Sequence, residues 1–189
     1  MFEFFQSIKE YIFVTDLVVH YLLLVGIGWS IAFPDKRIWP PPSKKSWQQA
    51  ITWILFYLAF ALNGILFFID WNSWLFQSNA RLLLGIPFVI FGSLLVSWGI
   101  FTLGTKNTSG VKAGFITDGP YKFTRNPQYL GDMLLFIGLI LVSNSLYLLI
   151  ANMLLILIFI MTPWAEEVWL EKMYGDEYKN YKKTAPRFL

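Results

Sequence analysis

The chain contains no cysteine and a single histidine, His20. The lack of cysteine excludes disulfides, thiolate metal sites and thiol nucleophiles. A single histidine cannot form a histidine-rich metal site. We therefore expect no bound metal. Charged residues make up only 14% of the 189 residues, whereas soluble domains typically carry about 25%. With 56% hydrophobic residues, the chain cannot cover a water-facing surface, so we expect an integral membrane protein.

Two further classes are excluded by what is missing. No basic patch with interleaved aromatic residues lies outside the loops between apolar runs, so nucleic acid is not an expected partner. The first residues, Met1 to Phe13, are not expected to form a signal peptide, because Glu3 and Glu10 interrupt them and no basic region leads them. The sequence does not indicate an oligomeric state.

Long hydrophobic runs predict about five transmembrane helices, since roughly 20 apolar residues cross a bilayer. The runs cover residues 11–33, 47–69, 80–103, 130–142 and 146–164. The last two form one apolar stretch that is too long for a single span, and Ser143-Asn144-Ser145 predicts a turn within it. We therefore predict a helical hairpin with two short arms.

A charged segment follows the hairpin from Ala165 to Leu189 and has the pattern of an amphipathic helix. Leu170, Tyr174, Tyr178 and Tyr181 fall on one helical stripe. The predicted fold class is therefore all-α: a polytopic membrane protein with a C-terminal amphipathic helix. We expect one domain over 1–189, with three spans in 1–104 and a polar loop, hairpin and tail in 105–189.

The basic residues are distributed unevenly between the two predicted ends of the bundle. Of the 15 lysines and arginines, only Lys9 and Arg81 fall at one end; the others lie in the first loop, the long loop and the tail. The positive-inside rule therefore predicts that the N-terminus lies outside and the C-terminus in the cytoplasm. Within the first span, Asp16 and His20 stand one helical turn apart. They are either a polar pair satisfied inside the bundle or a functional pair.

Polar groups suited to chemistry concentrate in two motifs at the predicted cytoplasmic end. The first is Asp118-Gly-Pro-Tyr-Lys-Phe-Thr-Arg-Asn-Pro-Gln-Tyr-Leu-Gly-Asp132, at the start of the hairpin. The second is Glu166-Glu167, expected directly after the last span. Adjacent carboxylates on a helix point about 100° apart, so they serve different partners. They either lie in headgroup water, pair with Arg125 and Lys122, or bind a cationic ligand.

In order and spacing, these motifs resemble the membrane methyltransferase superfamily of isoprenylcysteine carboxyl methyltransferases and phospholipid N-methyltransferases. The likeness covers about residues 104–189. It is carried by Gly119-Pro-Tyr121, Arg125-Asn-Pro-Gln-Tyr-Leu-Gly131, the hairpin, Glu166-Glu167, and Tyr174-Gly-Asp-Glu-Tyr178 through Pro186-Arg187. It implies an S-adenosylmethionine-dependent methyltransferase acting on a lipid or other hydrophobic acceptor in the membrane, with its active site on the cytoplasmic side.

The resemblance also implies a site. Arg125 and Asn126 would be catalytic, and residues 170–181 would close over the cofactor as a lid. The residues implied to bind S-adenosylmethionine are Ala113, Gly114, Phe115, Ile116, Tyr121, Asn126, Pro127, Gln128, Tyr129, Glu166 and Glu167. A lipid acceptor is expected to enter sideways between the hairpin arms, near Tyr129 and Asp132.

Two positions depart from the isoprenylcysteine pattern. Asn126 stands where those enzymes usually have histidine, and Thr162 where they carry an arginine that meets the substrate carboxylate. Two alternatives remain open. A sterol-reductase-like, NADPH-dependent membrane reductase shares the Arg-x-Pro-x-Tyr-Leu-Gly-Asp run that Asp132 completes, although Glu166-Glu167 disfavours a dinucleotide's phosphates. A non-catalytic membrane scaffold would have no cofactor pocket.

Overall fold

Helices form the regular structure throughout the described part of the chain. The computed structural model describes residues 2–76, 78–111 and 114–189, with side chains from residue 7 onward. Its helices are α1 (Phe2–Ala32), α2 (Trp47–Ile69), α3 (Ala80–Leu103), α4 (Thr105–Thr108), α5 (Pro127–Ser143), α6 (Leu146–Tyr174) and α7 (Asp176–Thr184), with 3-10 turns at Pro34–Lys36 and Gly119–Lys122. The all-α prediction is confirmed.

Four of these helices are long and apolar enough to cross a membrane: α1 from Ser7, α2, α3 and α6. The shorter α5 is also apolar and has 17 residues. At 1.5 Å per residue it extends about 25 Å, slightly less than the roughly 30 Å of hydrocarbon. The protein is therefore an integral membrane protein with four long spans and a fifth, shorter candidate.

The hairpin forms as predicted, but its second arm is longer than expected. Ser145 caps α6 by accepting a hydrogen bond from the backbone N of Leu148 at 3.0 Å. The helix then continues to Tyr174, where Gly175, with φ of 56°, ends it. The helix therefore continues past Trp164, the predicted end of the last span, because no residue before Gly175 breaks it. The adjacent glutamates lie inside α6, and the expected tail helix is two helices separated by Gly175.

Loops gather at two opposite ends of the bundle. At one end, the backbone N of Asn72 donates to the carbonyl of Ser143 at 2.7 Å, and Lys9 pairs with Asp70 at 2.9 Å. At the other end, the first loop meets the long loop, since a Cβ atom on Gly110 would lie 2.7 Å from the ring of Pro41. The three basic segments therefore share one end, in agreement with the grouping that the charge pattern predicts.

The orientation of this bundle in the membrane is a prediction that reporter fusions test. We expect reporters inserted at Asn72 to read outside, and those at Ser109 and Leu189 to read cytoplasmic, because the positive-inside rule predicts that the basic end faces the cytoplasm. A phosphatase–fluorescent protein reporter pair would measure this. An outside signal at Ser109 would contradict the arrangement.

Glycines bring α3 and α5 into direct backbone contact. A Cβ atom on Gly92 would lie 2.5 Å from the backbone N of Leu135 and 2.6 Å from the carbonyl O of Gly131. Gly85 of α3 and Gly138 of α5 make the same kind of approach one heptad away, where an added Cβ would lie 3.0 and 2.8 Å from the other's carbonyl O. Small residues allow membrane helices to pack this closely, so α3 fixes the position of α5.

The polar pair of the first span lies inside the bundle. Asp16 and His20 are both fully buried, and His20 Nδ1 lies 3.3 Å from the Asp16 carboxylate. Asn63 of α2 donates to the same carboxylate at 3.2 Å. Sequence reasoning did not single out Asn63. These contacts join α1 to α2 inside the bundle.

Candidate active site

A cavity of about 110 Å³ lies at the basic end of the bundle. Its walls come from four stretches of the chain: Pro40 in the first loop, residues between Leu103 and Ile116, residues between Tyr121 and Tyr129, and residues between Glu166 and Tyr181. Segments far apart in sequence therefore meet around one space.

The first turn of α5 supplies the floor of this cavity. Pro127 occupies the first helical position, which suits proline because that residue needs no N–H partner. Gln128 then donates from Nε2 to the hydroxyl of Tyr121 at 2.8 Å and to Thr108 Oγ1 at 3.2 Å. Gly99 of α3 permits this, since a Cβ atom there would lie 2.7 Å from Gln128 Cγ. Helix packing thus positions the polar floor.

Aromatic rings from α6 and α7 cover the cavity. The ring centroid of Phe115 lies 4.9 Å from that of Tyr174, 6.0 Å from that of Tyr178 and 5.6 Å from that of Tyr181. The three tyrosines belong to the stripe that the sequence predicts, although Gly175 divides them between two helices. That residues 170–181 close over a cofactor as a lid stays a prediction.

Two tyrosine hydroxyls attach this cover to the long loop. Tyr174 donates to the carbonyl of Gly114 at 3.0 Å, and Tyr181 donates to the carbonyl of Tyr121 at 2.6 Å. Burial raises the pKa of Tyr181 to about 12. Its hydroxyl therefore keeps its proton, and the hydrogen bond, throughout the physiological pH range.

Glu166 is the carboxylate on the cavity wall among the described lining residues. Its Oε1 accepts two hydrogen bonds, from Trp39 Nε1 at 2.6 Å and from the Tyr129 hydroxyl at 2.5 Å. Hydrogen bonds to a charged acceptor are short and strong. Because both donors reach Oε1, they hold the carboxylate in one orientation, and Oε2 has no hydrogen-bond partner among the described residues.

Glu167 points away from the cavity into a cluster of cations. Arg187 donates to both of its oxygens, at 2.7 and 2.9 Å, and Arg125 donates to Oε1 at 2.9 Å. Lys182 lies 3.4 Å from Oε2. The bidentate contact with Glu167 raises the pKa of Arg187 further above its usual value. The adjacent glutamates thus serve different partners, as their helical spacing predicts.

Residues 124–126 also bind the end of the chain. The backbone N of Arg125 donates to the carbonyl of Pro186 at 2.9 Å. Asn126 Nδ2 donates to the carbonyl of Arg187 at 2.9 Å, and Thr124 Oγ1 to the same oxygen at 3.1 Å. The C-terminal segment therefore lies along the start of α5 and closes the back of the site.

Comparison with known proteins identifies the family to which the second half of the chain is similar. The profile of the phospholipid methyltransferase family matches residues 80–177, which is more than half of the chain. The chain belongs to the phospholipid methyltransferase family. The superfamily that the motifs predict is confirmed, and the comparisons give no support to the sterol-reductase alternative.

The relatives of this chain are named after two kinds of methyltransferase. Phosphatidylethanolamine N-methyltransferase B of Dictyostelium discoideum is 29% identical over 121 residues, which cover 57% of this chain and 60% of the relative. Protein-S-isoprenylcysteine O-methyltransferase of Schizosaccharomyces pombe is 32% identical over 72 residues (38% and 30%), and that of Rattus norvegicus is 28% identical over 119 residues (56% and 39%). The chain therefore spans less than two thirds of each relative. No solved structure matches.

The structure gathers most of the residues that the family resemblance implies, and their binding roles stay predictions. The predicted residues on the cavity wall are Gly114, Phe115, Ile116, Tyr121, Arg125, Asn126, Gln128, Tyr129 and Glu166. Pro127 and Glu167 are not among the lining residues; the first begins α5 and the second forms the ion cluster. Ala113 lies outside the described residues. Lys122, considered as a glutamate partner, instead lies 3.5 Å from Asp118.

Sequence reasoning missed the contribution of the first loop. Pro40 lines the cavity, and Trp39 holds Glu166 although 127 residues separate them. Asn107, Thr108 and Trp169 were also missed. The three consecutive prolines at 40–42 could have pointed to this loop, because they indicate a rigid backbone that can hold neighbouring side chains in place.

Proposed function

We propose that this member of the phospholipid methyltransferase family is an S-adenosylmethionine-dependent enzyme that methylates a lipid or other hydrophobic acceptor in the membrane. The observation that carries the proposal is the position of Glu166. Trp39 and Tyr129 fix its carboxylate on the wall of a cavity built largely from the family's matching segment. A fixed carboxylate in such a cavity suits a positively charged ligand.

The lining groups fit the chemistry of S-adenosylmethionine, whose sulfonium carries a positive charge and whose amino-acid end carries charges of both signs. Arg125 Nε is buried without a hydrogen-bond partner among the described residues, which leaves a donor for a ligand carboxylate. Glu166 Oε2 suits the ligand's amine. The rings of Phe115, Tyr174 and Tyr178 suit an adenine by stacking and a sulfonium by cation–π attraction. When bound, this cofactor supplies a methyl group on a positively charged sulfur.

An amine is the acceptor that the site favours. A carboxylate acceptor calls for a cation, and the matching position holds Thr162, whose hydroxyl donates within its own helix to the carbonyl of Ile158 at 2.7 Å. Asn126 and the relative named phosphatidylethanolamine N-methyltransferase B also favour an amine. An amine acceptor has to lose a proton before it takes the methyl group, and a carboxylate is a suitable base for that step.

The transfer itself requires mainly orientation. Arg125 and Glu166 would hold the cofactor, whose sulfonium would supply the methyl group to the acceptor amine, with the electron pair of the broken carbon–sulfur bond kept by sulfur. Most of the rate enhancement is expected to come from holding the reacting atoms about 3–3.5 Å apart and in line, with water excluded. The aromatic cover and the C-terminal segment exclude water here. The cofactor enters from the cytoplasm, and the acceptor from the bilayer.

The experiment that tests this function measures methyl transfer and cofactor binding together. Incubation of the purified protein with methyl-labelled S-adenosylmethionine and dioleoyl-phosphatidylethanolamine in mixed detergent micelles is expected to label the amine. Replacing Glu166 by glutamine should weaken cofactor binding by about 1.5–3 kcal/mol, the worth of a charge-assisted hydrogen bond. Titration calorimetry measures the binding and scintillation counting the transfer.

The matched control is Asp118→Asn, which removes a carboxylate whose side chain is 81% exposed. It should bind the cofactor as the parent protein does. If a prenylcysteine supplied in place of the lipid is labelled and the amine never is, the acceptor is a carboxylate and not an amine. Absence of cofactor binding by the parent protein would refute the enzymatic proposal.

A further inference from the structure

A second cavity, of about 310 Å³, lies between α1 and α2 near the basic end. Apart from Thr52, its lining side chains are aliphatic or tryptophan, and Gly26 contributes only backbone. Its volume reaches the range of small-molecule pockets, about 300–1,000 Å³. We call this cavity the α1–α2 groove.

Trp39 connects the groove to the carboxylate of Glu166. It is one of the residues that line the groove, and its Nε1 donates to Glu166 Oε1 at 2.6 Å. The side chain is buried and packs edge-on against Trp53 and Phe56, with ring centroids 6.5 and 6.4 Å away. One residue therefore contacts both the apolar space and the carboxylate.

We propose that the α1–α2 groove holds one hydrocarbon chain of the methyl acceptor, with Trp39 placing the headgroup beside Glu166. This inference rests on the proposed function and names where its substrate binds. The rims of the groove are open to the bilayer, since Leu22, Val25 and Ile51 are all more than a third exposed. A chain reaches it without crossing water.

This position differs from the entry expected between the hairpin arms. Those arms pack against each other through aromatic rings: Phe159 of α6 stacks on both Tyr129 and Phe136 of α5, with centroid distances of 5.9 Å. The apolar space lies instead among residues of α1, the first loop and α2, in the part of the chain outside the family match. Acceptor length is therefore selected by α1 and α2.

Gly26 allows the groove to be filled from α1. A Cβ atom at this position would meet only the side chain of Ile38, at 3.8 Å, so leucine fits onto the helix and extends into the space. Gly28→Leu is the matched control, because a Cβ atom there meets nothing within 4 Å and the residue does not line the groove. Ile51→Trp fills the groove from α2 and serves as a second variant.

The measurement is the ratio of kcat/KM for dioleoyl- over dihexanoyl-phosphatidylethanolamine, with methyl-labelled S-adenosylmethionine. We expect Gly26→Leu and Ile51→Trp to lower this ratio about tenfold or more, the scale on which apolar pockets discriminate chain groups. Gly28→Leu should keep the parent ratio. Cofactor binding by calorimetry shows that each variant is folded.

A photoactivatable phosphatidylethanolamine with a diazirine in its acyl chain gives a readout that needs no turnover. Cross-links to Ile38 and Thr52 are expected in the parent protein and Gly28→Leu, and are expected to disappear in Gly26→Leu. Unchanged ratios, or cross-links that never reach the groove, would overturn this inference while leaving the enzymatic function intact. Failure of the parent protein to methylate either lipid, with groove cross-links present, would instead refute the amine-acceptor function.

Discussion

Replacing Gly92 by leucine is expected to prevent stable folding of the bundle. The new side chain would meet the backbone of α5 at Leu135 and Gly131, at distances of 2.5–2.6 Å from its Cβ atom. Backbone atoms cannot move aside as a flexible side chain does, so α3 and α5 must separate. Overpacking typically costs about 1–3 kcal/mol, and this substitution should exceed that range. Thermal unfolding in detergent micelles, followed by circular dichroism, measures the loss.

The matched control for this substitution is Gly64→Leu in α2. Gly64 faces outward, and a Cβ atom there meets nothing within 4 Å. The same change in chemistry should therefore leave the unfolding temperature near that of the parent protein. Equal stability of the Gly92 and Gly64 variants would show that the close approach of α3 and α5 is not required.

Replacing Glu167 by glutamine is expected to loosen the C-terminal segment. The carboxylate is 9% exposed and neutralises Arg125 and Arg187, while Lys182 lies nearby. Removing one partner of a buried ion pair costs about 3–5 kcal/mol, because the remaining charge is left uncompensated; the partial exposure of Arg187 places our expectation near the lower value. Thermal unfolding and proteolysis near Thr184 measure the effect.

Two variants distinguish this stabilising role from contact with the cofactor. Glu171→Gln removes a more exposed carboxylate that pairs with Lys182 at 2.6 Å, and should change stability much less. Glu166→Gln should weaken ligand binding with little loss of stability. If Glu167→Gln instead keeps its stability and loses cofactor affinity, Glu167 contacts the cofactor, as the family resemblance implies.

The long apolar helices could be predicted because their ends coincide with changes in hydrophobicity. Helices α2 and α3 begin and end at the predicted residues, Trp47–Ile69 and Ala80–Leu103. Helix α6 could not be bounded in this way. Its apolar face ends near Trp164, but helical hydrogen bonding continues through charged residues until Gly175. Hydrophobicity reports the edge of the bilayer, whereas a helix ends where its backbone changes conformation.

The site was predictable only where it is local in sequence. Residues 126–129 and the adjacent glutamates form short patterns that a family resemblance detects. The bond between Trp39 and Glu166 joins residues 127 positions apart, and its loop carries no motif of its own. The assignment of Glu167 to an ion cluster depends on where Arg187 lies after the chain turns back, which no spacing rule gives.

The way the site is closed has a consequence for the protein's biosynthesis. Arg125 and Asn126 bind the carbonyls of Pro186 and Arg187, so the wall around the cavity includes residues 61 positions further along the chain. These two residues are synthesised after all of the apolar helices. A nascent chain therefore has its apolar helices complete before the wall around the cavity can close.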